Sequence, residues 1–221
     1  DSMTVPTNVE VLHQYTAGLC VSWLGFDAPY ISDNHYFLCD EHTHPPGVDK
    51  NYLEQLVRLP NCSVAIGELQ SIPVNREAIR NALGIGLDQM AYLCVAPGRK
   101  TNPEMVQAQV RILKEVPDSM LIRKGQGDPD IIHSTYREEC DIQGVDFARI
   151  KFIGQTRSEE EHRAIYYVAD VLLDSYPYNG GTHNLEALWA NLPVVTRSGD
   201  QYLSRMGYAF LKSANLDVGA A

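Results

Sequence analysis

Residues 171–189 read VLLDSYPYNGGTHNLEALW and predict a buried strand, a loop and a helix, in that order. The apolar run ends at Asp174, a seven-residue loop ends with Gly180 and Gly181, and the helix begins at Thr182. A helix N-terminus exposes unpaired N–H groups and a partial positive charge, and glycine lets an anion approach the backbone closely. The stretch therefore predicts an anion site.

The loop and the first helical turn supply the candidate ligand residues. Thr182 and His183 would donate to a bound phosphate, and Asn179 precedes the two glycines in the same loop. Glu186, one turn into the helix, is placed to accept both hydroxyls of a ribose. The same residues also fit an ordinary loop, in which the glycines relieve crowding and Glu186 only favours the helix dipole.

Short apolar runs recur on both sides of this stretch, and their starts are separated by 28, 31, 21 and 22 residues. Each interval leaves room for one helix and two loops. The pattern predicts a Rossmann-like α/β fold, with a parallel sheet covered by helices on both faces. The runs are AYLCVA (91–96), SMLIR (119–123), IKFI (150–153), VLLD (171–174) and PVVTR (193–197).

Capping residues mark the ends of the expected helices. They are Asn75 with Gly84 as the stop, Asn102 before Pro103, and Ser158 with Glu161 as a capping box on a helix running through Ala169. A last helix is expected to begin near Asp200 or Gln201.

Two further candidate residues belong to the same, carboxyl edge of the sheet. Lys100, in the loop APGRKTNPE (96–104), could reach a diphosphate, because ligands of such sheets bind along this edge. His162 lies one turn into a helix that starts there, and its flat polar ring could cover a nucleotide base. The alternatives are a solvated surface lysine and a histidine that satisfies a local helix contact.

Composition limits the function classes. The 221 residues are 44% hydrophobic and 21% charged, which is enough for a buried core, and the net charge of −10 argues against nucleic acid and anionic membrane. No apolar run approaches the roughly 18–20 residues that a membrane span needs.

The five cysteines show no C-x-x-C spacing, which favours reduced thiols in a cytoplasmic protein. Because the sequence begins with Asp, we expect a piece of a longer protein.

Residues 1–60 have a different pattern. They contain two strand-like runs, at 19–26 and 35–40, and two strands do not form a stable domain. His42 and His44 form an H-x-H pair beside Asp40 and Glu41, which raises the question of zinc. No further ligands complete such a site, so we expect no bound metal.

Several of these stretches together resemble one family. FIGQTRSEEEH and YYVADVLLDSYPYNGGTHNLEALWANLPVVTRSGDQYLSRMG are similar to the catalytic region of the O-linked N-acetylglucosamine transferases, the SPINDLY-like group. Upstream, VSWLGF, YFLCDEHTHPP, YLEQLVRLPN and APGRKTNPE follow in the family's order. The resemblance covers nearly the whole chain.

The resemblance implies a two-domain GT-B glycosyltransferase. Residues 1–60 would be a remnant of the N-terminal catalytic domain, and residues 61–221 would be the domain that binds the nucleotide sugar. The donor would be a UDP-sugar, possibly a GDP-sugar, the acceptor a protein, and tetratricopeptide repeats would lie upstream. No cofactor or metal is expected, and this piece alone would bind donor without efficient transfer.

The resemblance also implies residue roles. Lys100 would neutralise the leaving diphosphate, Thr182 and His183 would bind phosphates beside Gly180 and Gly181, Glu186 would bind the ribose, and His162 the base.

Four positions depart from the family's pattern. Pro97 replaces a frequent Gln, Gly181 a phosphate-contacting His, Ile165 an Arg near the base and Glu159 a Lys. These departures leave open a second interpretation, a nucleotide-sugar-binding or scaffold module with impaired catalysis. A third is a relative that acts on a small-molecule acceptor, or an epimerase of sugar nucleotides.

Overall fold

The computed structural model describes residues 6–14, 17–23, 35–70 and 72–216. Its helices and strands are, in chain order, α1 (Pro6–Leu12), β1 (Val21–Ser22), β2 (Tyr36–Asp40), β3 (Gln55–Leu59), α2 (Arg76–Leu83), β4 (Met90–Val95), α3 (Pro103–Glu115), β5 (Ser119–Lys124), α4 (Pro129–Gln143), β6 (Ile150–Ile153), α5 (Glu159–Val168), β7 (Val171–Leu173), α6 (Thr182–Trp189), β8 (Val194–Val195) and α7 (Met206–Ser213).

The chain forms two compact units. One contains the described residues up to Gly67 together with those from Ser198 onward, and the other contains Glu68–Arg197. The domain boundary between residues 60 and 61 expected from the family resemblance concerns the whole protein and stays a prediction.

The first unit contains a three-stranded parallel sheet in the order β1-β2-β3. The two predicted strand-like runs correspond to β1 and β2, and residues 24–26 of the first run lie outside the described residues. The third strand, β3, was missed by the sequence analysis. The last helix begins later than expected, because Gln201 caps a 3₁₀ turn at Tyr202–Ser204 and α7 begins only at Met206.

The second unit contains a five-stranded parallel sheet in the order β6-β5-β4-β7-β8, which confirms the predicted α/β fold. Cys94 of β4 and Leu121 of β5 belong to a buried core that also includes residues of α3 and α4. Leu93 is fully buried on the opposite face, because successive side chains of a strand alternate. Helix α2 packs against α5, and α5 against α6.

The predicted cap residues of α2, α3 and α5 are confirmed. The side chain of Asn75 accepts from N of Ala78, and that of Asn102 from N of Met105. Ser158 accepts from N of Glu161 at 3.2 Å, but the Glu161 carboxylate accepts from N of Arg157 and not from the cap residue, so the capping box is only half formed. Helix α5 also ends one residue earlier than expected, at Val168.

Two arginines tie together the amino ends of the strands in this unit. Arg80 is completely buried and donates to the carbonyl oxygens of Gly86, Gln89 and Val168 and to the Asp170 carboxylate. Arg149 donates to O of Ser119 and to O of Val116 at the start of β5. These segments precede β4, β5, β6 and β7, so the amino edge of the sheet is cross-linked by guanidinium groups.

Among the described residues, no helix combines the length and the apolar character that crossing a membrane requires.

Candidate ligand-binding site

The loops that follow β4, β5 and β6 surround a cavity of about 450 Å³ at the carboxyl edge of the five-stranded sheet. Its lining includes Pro97, Arg99, Lys124, His162 and His183. A cavity at this edge is the usual ligand position in an open parallel sheet. His162 and His183 are thus the predicted site residues in this lining, and the other predicted site residues lie outside it.

Lys100 lies in a 3₁₀ turn after β4 and points towards the loop that precedes α6. Its ammonium donates to O of Asn179 at 2.7 Å and lies 3.7 Å from the ring centre of Tyr178. Burial lowers the pKa of Lys100 to about 8, with a further lowering from Arg99 and an opposing contribution from Asp174. Lys100 thus carries a positive charge at neutral pH and loses it more readily than an exposed lysine does.

Asp174 organises the loop from residue 175 to residue 181. Its partly buried carboxylate accepts from N of Gly180 at 2.6 Å, from the Asn184 side chain at 2.8 Å and from the Thr196 hydroxyl at 2.7 Å. Burial raises the pKa of Asp174, and these donors oppose the rise only in part. The N–H of Gly180 is therefore already used within the protein. This N–H is not available to a bound anion, so what remains of the predicted role of Gly180 is that it has no side chain. A Cβ at this position would lie 2.8 Å from Oδ1 of Asn184.

The side chain of Asn179 stabilises the loop from inside. Its side chain is fully buried and donates to O of Ser175 at 2.8 Å, so only its carbonyl oxygen, which holds Lys100, faces the site. Gly181 precedes α6, and Thr182 and His183 form the first turn. Within the described part of the chain, no backbone or side-chain acceptor pairs with the backbone N–H groups of Thr182 and His183.

Glu186 is the centre of a polar cluster. Its Oε2 accepts from the Tyr166 hydroxyl at 2.8 Å and lies 3.1 Å from Nε2 of His162. Nδ1 of His183 lies 3.8 Å from the same oxygen, which is too long for a hydrogen bond. Burial raises the pKa of Glu186, but the surrounding donors, His162 first, outweigh it and hold that pKa well below its ordinary value. Glu186 is an anion at all physiological pH values.

Sequence reasoning missed two members of this cluster. Lys124, the last residue of β5, is 4% exposed and its ammonium nitrogen lies 2.9 Å from Nδ1 of His162. Tyr166 is also buried, and burial raises its pKa strongly. A lysine at the carboxyl end of a predicted strand is the pattern that could have identified Lys124.

Arg123 fixes the loop that carries Lys100. It donates to O of Ala96 at 2.5 Å and to the Thr101 hydroxyl at 2.9 Å. The next loop approaches so closely that a Cβ on Gly125, whose φ is +152°, would lie 1.9 Å from O of Ala96. The loops after β4 and β5 are thus held together at backbone contact distance.

His162, His183 and Glu186 are also close enough to be examined as metal ligands, since one possible ligand atom of each lies within 4.8 Å of the others. Metal-bound histidines usually donate their second ring N–H to an acceptor. Here the second ring nitrogen of His162 faces the Lys124 ammonium, which is a donor. The donor set therefore fits a metal ion poorly, and the expectation of no metal stays a prediction.

The H-x-H pair near the start of the chain does not form a ligand cluster. Asp40 is fully buried, and its carboxylate is occupied by N of Thr43 at 2.7 Å and by N and Oγ of Ser63 at 2.9 and 2.7 Å. His44 is buried and its ring contacts Thr43 and Tyr52. Asp40 thus holds the turn after β2 by accepting these hydrogen bonds. This structural role explains the Asp40 and H-x-H motif.

The departures from the family's pattern have different structural settings. Ile165 is 4% exposed and lies in the core, so this position offers no contact to a base. Glu159 is exposed on the first turn of α5, and Pro97 lines the cavity without an N–H.

Comparison with known proteins gives consistent matches. The model of glycosyl transferase family 41 matches residues 74–217. The chain is 29% identical to the Arabidopsis thaliana protein SEC, over 95% of this chain and 22% of that protein, and 26% identical to SPINDLY of Solanum lycopersicum, over 89% and 21%. Both are named probable UDP-N-acetylglucosamine–peptide N-acetylglucosaminyltransferases. The chain spans about a fifth of the length of these relatives.

Solved structures agree with the fold. The O-GlcNAc transferase of Thermobaculum terrenum superimposes with a TM-score of 0.79 at 26% identity, over 94% of this chain and 39% of that one. WaaG, a glycosyltransferase involved in lipopolysaccharide biosynthesis, matches with a TM-score of 0.57 at 22% identity, over 82% and 48%, and supports the fold alone. The predicted GT-B type of fold is confirmed by these matches.

Proposed function

The chain belongs to glycosyl transferase family 41, and we propose that it is the donor-binding part of a protein O-glycosyltransferase. The reaction would transfer a sugar, N-acetylglucosamine, from a nucleoside diphosphate to a Ser or Thr hydroxyl. The observation that carries the proposal is the position of the Lys100 ammonium, which is bonded to the loop that leads into α6. A cation and a helix N-terminus therefore lie side by side at the carboxyl edge of the sheet.

The chemistry of such a transfer fits these groups. As the bond between the anomeric carbon and the diphosphate breaks, negative charge grows on the leaving phosphate oxygen. Lys100 and the free N–H groups of Thr182 and His183 supply positive charge and donors in a partly buried site, where they stabilise that charge most effectively. The proposed reaction therefore uses no metal ion and no cofactor, and the sugar-nucleotide is its substrate.

The remaining groups would hold the nucleoside. Glu186 is anionic and would accept from the ribose hydroxyls, while the ring face of His162 would lie against the base. Both ring nitrogens of His162 already have partners, so its edge is not available to read the base. This arrangement favours a uridine donor no more than a guanosine donor.

The rest of the whole protein would supply the other parts. We propose that tetratricopeptide repeats and most of the acceptor-side domain lie upstream and bring the protein acceptor. The five cysteines are all free thiols and four of them are buried, which supports our proposal of a cytoplasmic protein.

Two observations favour a second function. Ile165 is buried where the family often has an Arg near the base, and Pro97 has no N–H to donate. A module that binds a nucleotide sugar without efficient catalysis would keep Glu186 and His162 and tolerate both changes.

Calorimetric titration of the chain with UDP, GDP and their sugar conjugates tests the first proposal. We expect one nucleotide to bind at micromolar affinity, and Lys100→Ala to weaken it at least about tenfold, while Lys114→Ala, an exposed lysine on α3, leaves it unchanged. The same two variants in the full-length protein then test transfer to a peptide. Undiminished donor binding and transfer in Lys100→Ala would refute the catalytic proposal, and donor binding without transfer in the unmodified protein would favour the second function.

A further inference from the structure

A chain of polar contacts begins at Lys124 and ends at the carboxylate that we propose as the ribose ligand. The Lys124 ammonium lies 2.9 Å from Nδ1 of His162, and Nε2 of His162 lies 3.1 Å from Oε2 of Glu186. Lys124 is 4% exposed, His162 is 24% exposed at its side chain and Glu186 12%. These three side chains and the contacts between them are therefore largely shielded from water.

The donor and acceptor roles along this chain follow from Lys124. An ammonium group can only donate, so Nδ1 of His162 is the acceptor. In the neutral imidazole the single ring proton then lies on Nε2, from which it is donated to Glu186. Lys124 thus determines the tautomer of His162.

The two oxygens of the Glu186 carboxylate therefore differ in their hydrogen-bond partners. Tyr166 and His162 both contact Oε2, and these contacts leave Oε1 to accept from another donor. Without the ammonium, His162 could carry its proton on Nδ1, and Nε2 would then present a lone pair to the carboxylate at 3.1 Å. Two acceptors at that distance repel, so Glu186 would turn away from its position.

We infer that Lys124 is a positioning residue of the donor site, which acts on the ribose hydroxyls through His162 and Glu186 and does not itself contact the diphosphate. This inference rests on the proposed function for the identity of the ligand. It goes beyond that function by assigning Lys124 and by requiring that the donor carry an intact ribose.

The first test reads the tautomer directly. Long-range ¹H–¹⁵N NMR spectra of the histidine-labelled chain are expected to show His162 protonated on Nε2 in the unmodified protein and in Lys124→Arg, which keeps a donor. In Lys124→Met the proton is expected to move to Nδ1 or to exchange between both nitrogens. Lys114→Met, which removes an exposed lysine from α3, is the matched control and should leave the spectrum unchanged.

The second test compares UDP with 2′-deoxy-UDP, or GDP with 2′-deoxy-GDP if the chain prefers guanosine. In the unmodified chain we expect the ribonucleotide to bind about tenfold more tightly, because a hydrogen bond to a charged acceptor is lost in the deoxy compound. In Lys124→Met the two affinities should become nearly equal, mainly through weaker binding of the ribonucleotide. Lys124→Arg should restore most of the difference.

The outcomes separate the inference from the function on which it rests. Equal weakening of both nucleotides by Lys124→Met would indicate direct contact with the diphosphate and would overturn the inference. An Nδ1-protonated His162 in the unmodified chain, or a spectrum that Lys124→Met does not change, would overturn it as well. Failure of the unmodified chain to bind either nucleotide would count against the proposed function, and the NMR result would still decide whether Lys124 sets the tautomer.

Discussion

The ammonium of Lys100 lies 3.7 Å from the ring centre of Tyr178, so the side chain expected to meet the diphosphate rests on an aromatic face. The same ammonium donates to the next residue along, at O of Asn179. One loop therefore holds the lysine by two different interactions and also leads into the helix whose N-terminus would receive the phosphate. The position of the charge is fixed before any ligand arrives.

We predict that nucleoside diphosphate binding weakens as the pH rises. Burial lowers the pKa of Lys100 to about 8, and a bound diphosphate would raise it because it favours the charged form. Above that pH the free protein must take up a proton to bind, so the affinity should fall by up to about tenfold per pH unit. Calorimetry with UDP between about pH 7 and about pH 9 measures this.

Lys100→Arg is the control for this prediction, because arginine stays charged throughout the range. Its affinity should vary much less with pH. A wild-type affinity that is constant across the range would show that the charge of Lys100 does not contribute to binding.

The aromatic contact gives a separate prediction. Tyr178→Leu removes the ring beneath the ammonium and should cost about 1 kcal/mol of binding free energy, or roughly fivefold in the Kd of the nucleotide. Tyr178→Phe keeps the ring and should bind like the unmodified chain. Equal behaviour of the two variants would show that the ring itself does not position Lys100.

Arg80 is predicted to matter for stability. It is completely buried and donates to the carbonyl oxygens of Gly86, Gln89 and Val168, so Arg80→Met removes a donor from three carbonyl groups, while the partly exposed Asp170 keeps its other donors. We expect a loss of about 2–4 kcal/mol in the free energy of unfolding, measured by urea denaturation, because buried carbonyl oxygens lose their donor. Arg111→Met, which breaks an exposed pair with Glu115, should change it by less than about 0.5 kcal/mol. Similar losses in both variants would contradict this explanation.

Two glycines with positive φ should respond differently to alanine. A Cβ on Gly125 would lie 1.9 Å from O of Ala96, so Gly125→Ala must separate the two loops and should lose about 2–3 kcal/mol of stability together with nucleotide binding. Gly144, at φ +71°, ends α4 in open space, and Gly144→Ala should cost only about 1 kcal/mol. Thermal unfolding and UDP titration of both variants check this, and a Gly125→Ala protein that binds normally would disprove it.

The parts of the fold that depend on local patterns could be predicted from the sequence. The run IKFI coincides with β6, and Asn102 caps α3 as expected, because strand hydrophobicity and cap chemistry act over a few residues. Asp128, Pro129 and Gly144 mark both ends of α4, so the bounds of this helix also follow from a local pattern.

The site was harder to predict, since it depends on which strands are neighbours. Lys100, His162 and Glu186 do line one sheet edge, as the strand–loop–helix rhythm implied. Lys124 contacts His162 across 38 residues of sequence, and Asn179 turns its side chain inward, and neither fact follows from spacing. Orientation of a loop side chain is decided by tertiary hydrogen bonds such as those of Asp174.

Different kinds of residues form the two edges of the five-stranded sheet. At the amino edge Arg80 and Arg149 cross-link the segments before the strands, and at the carboxyl edge glycines, Lys124 and His162 surround a cavity. Under the proposed function, a change in a side chain that lines the cavity would therefore alter the donor site and leave the arginine cross-links of the opposite edge in place. Binding and folding stability would then depend on different residues of the same sheet, except where the loop backbones touch, as at Gly125.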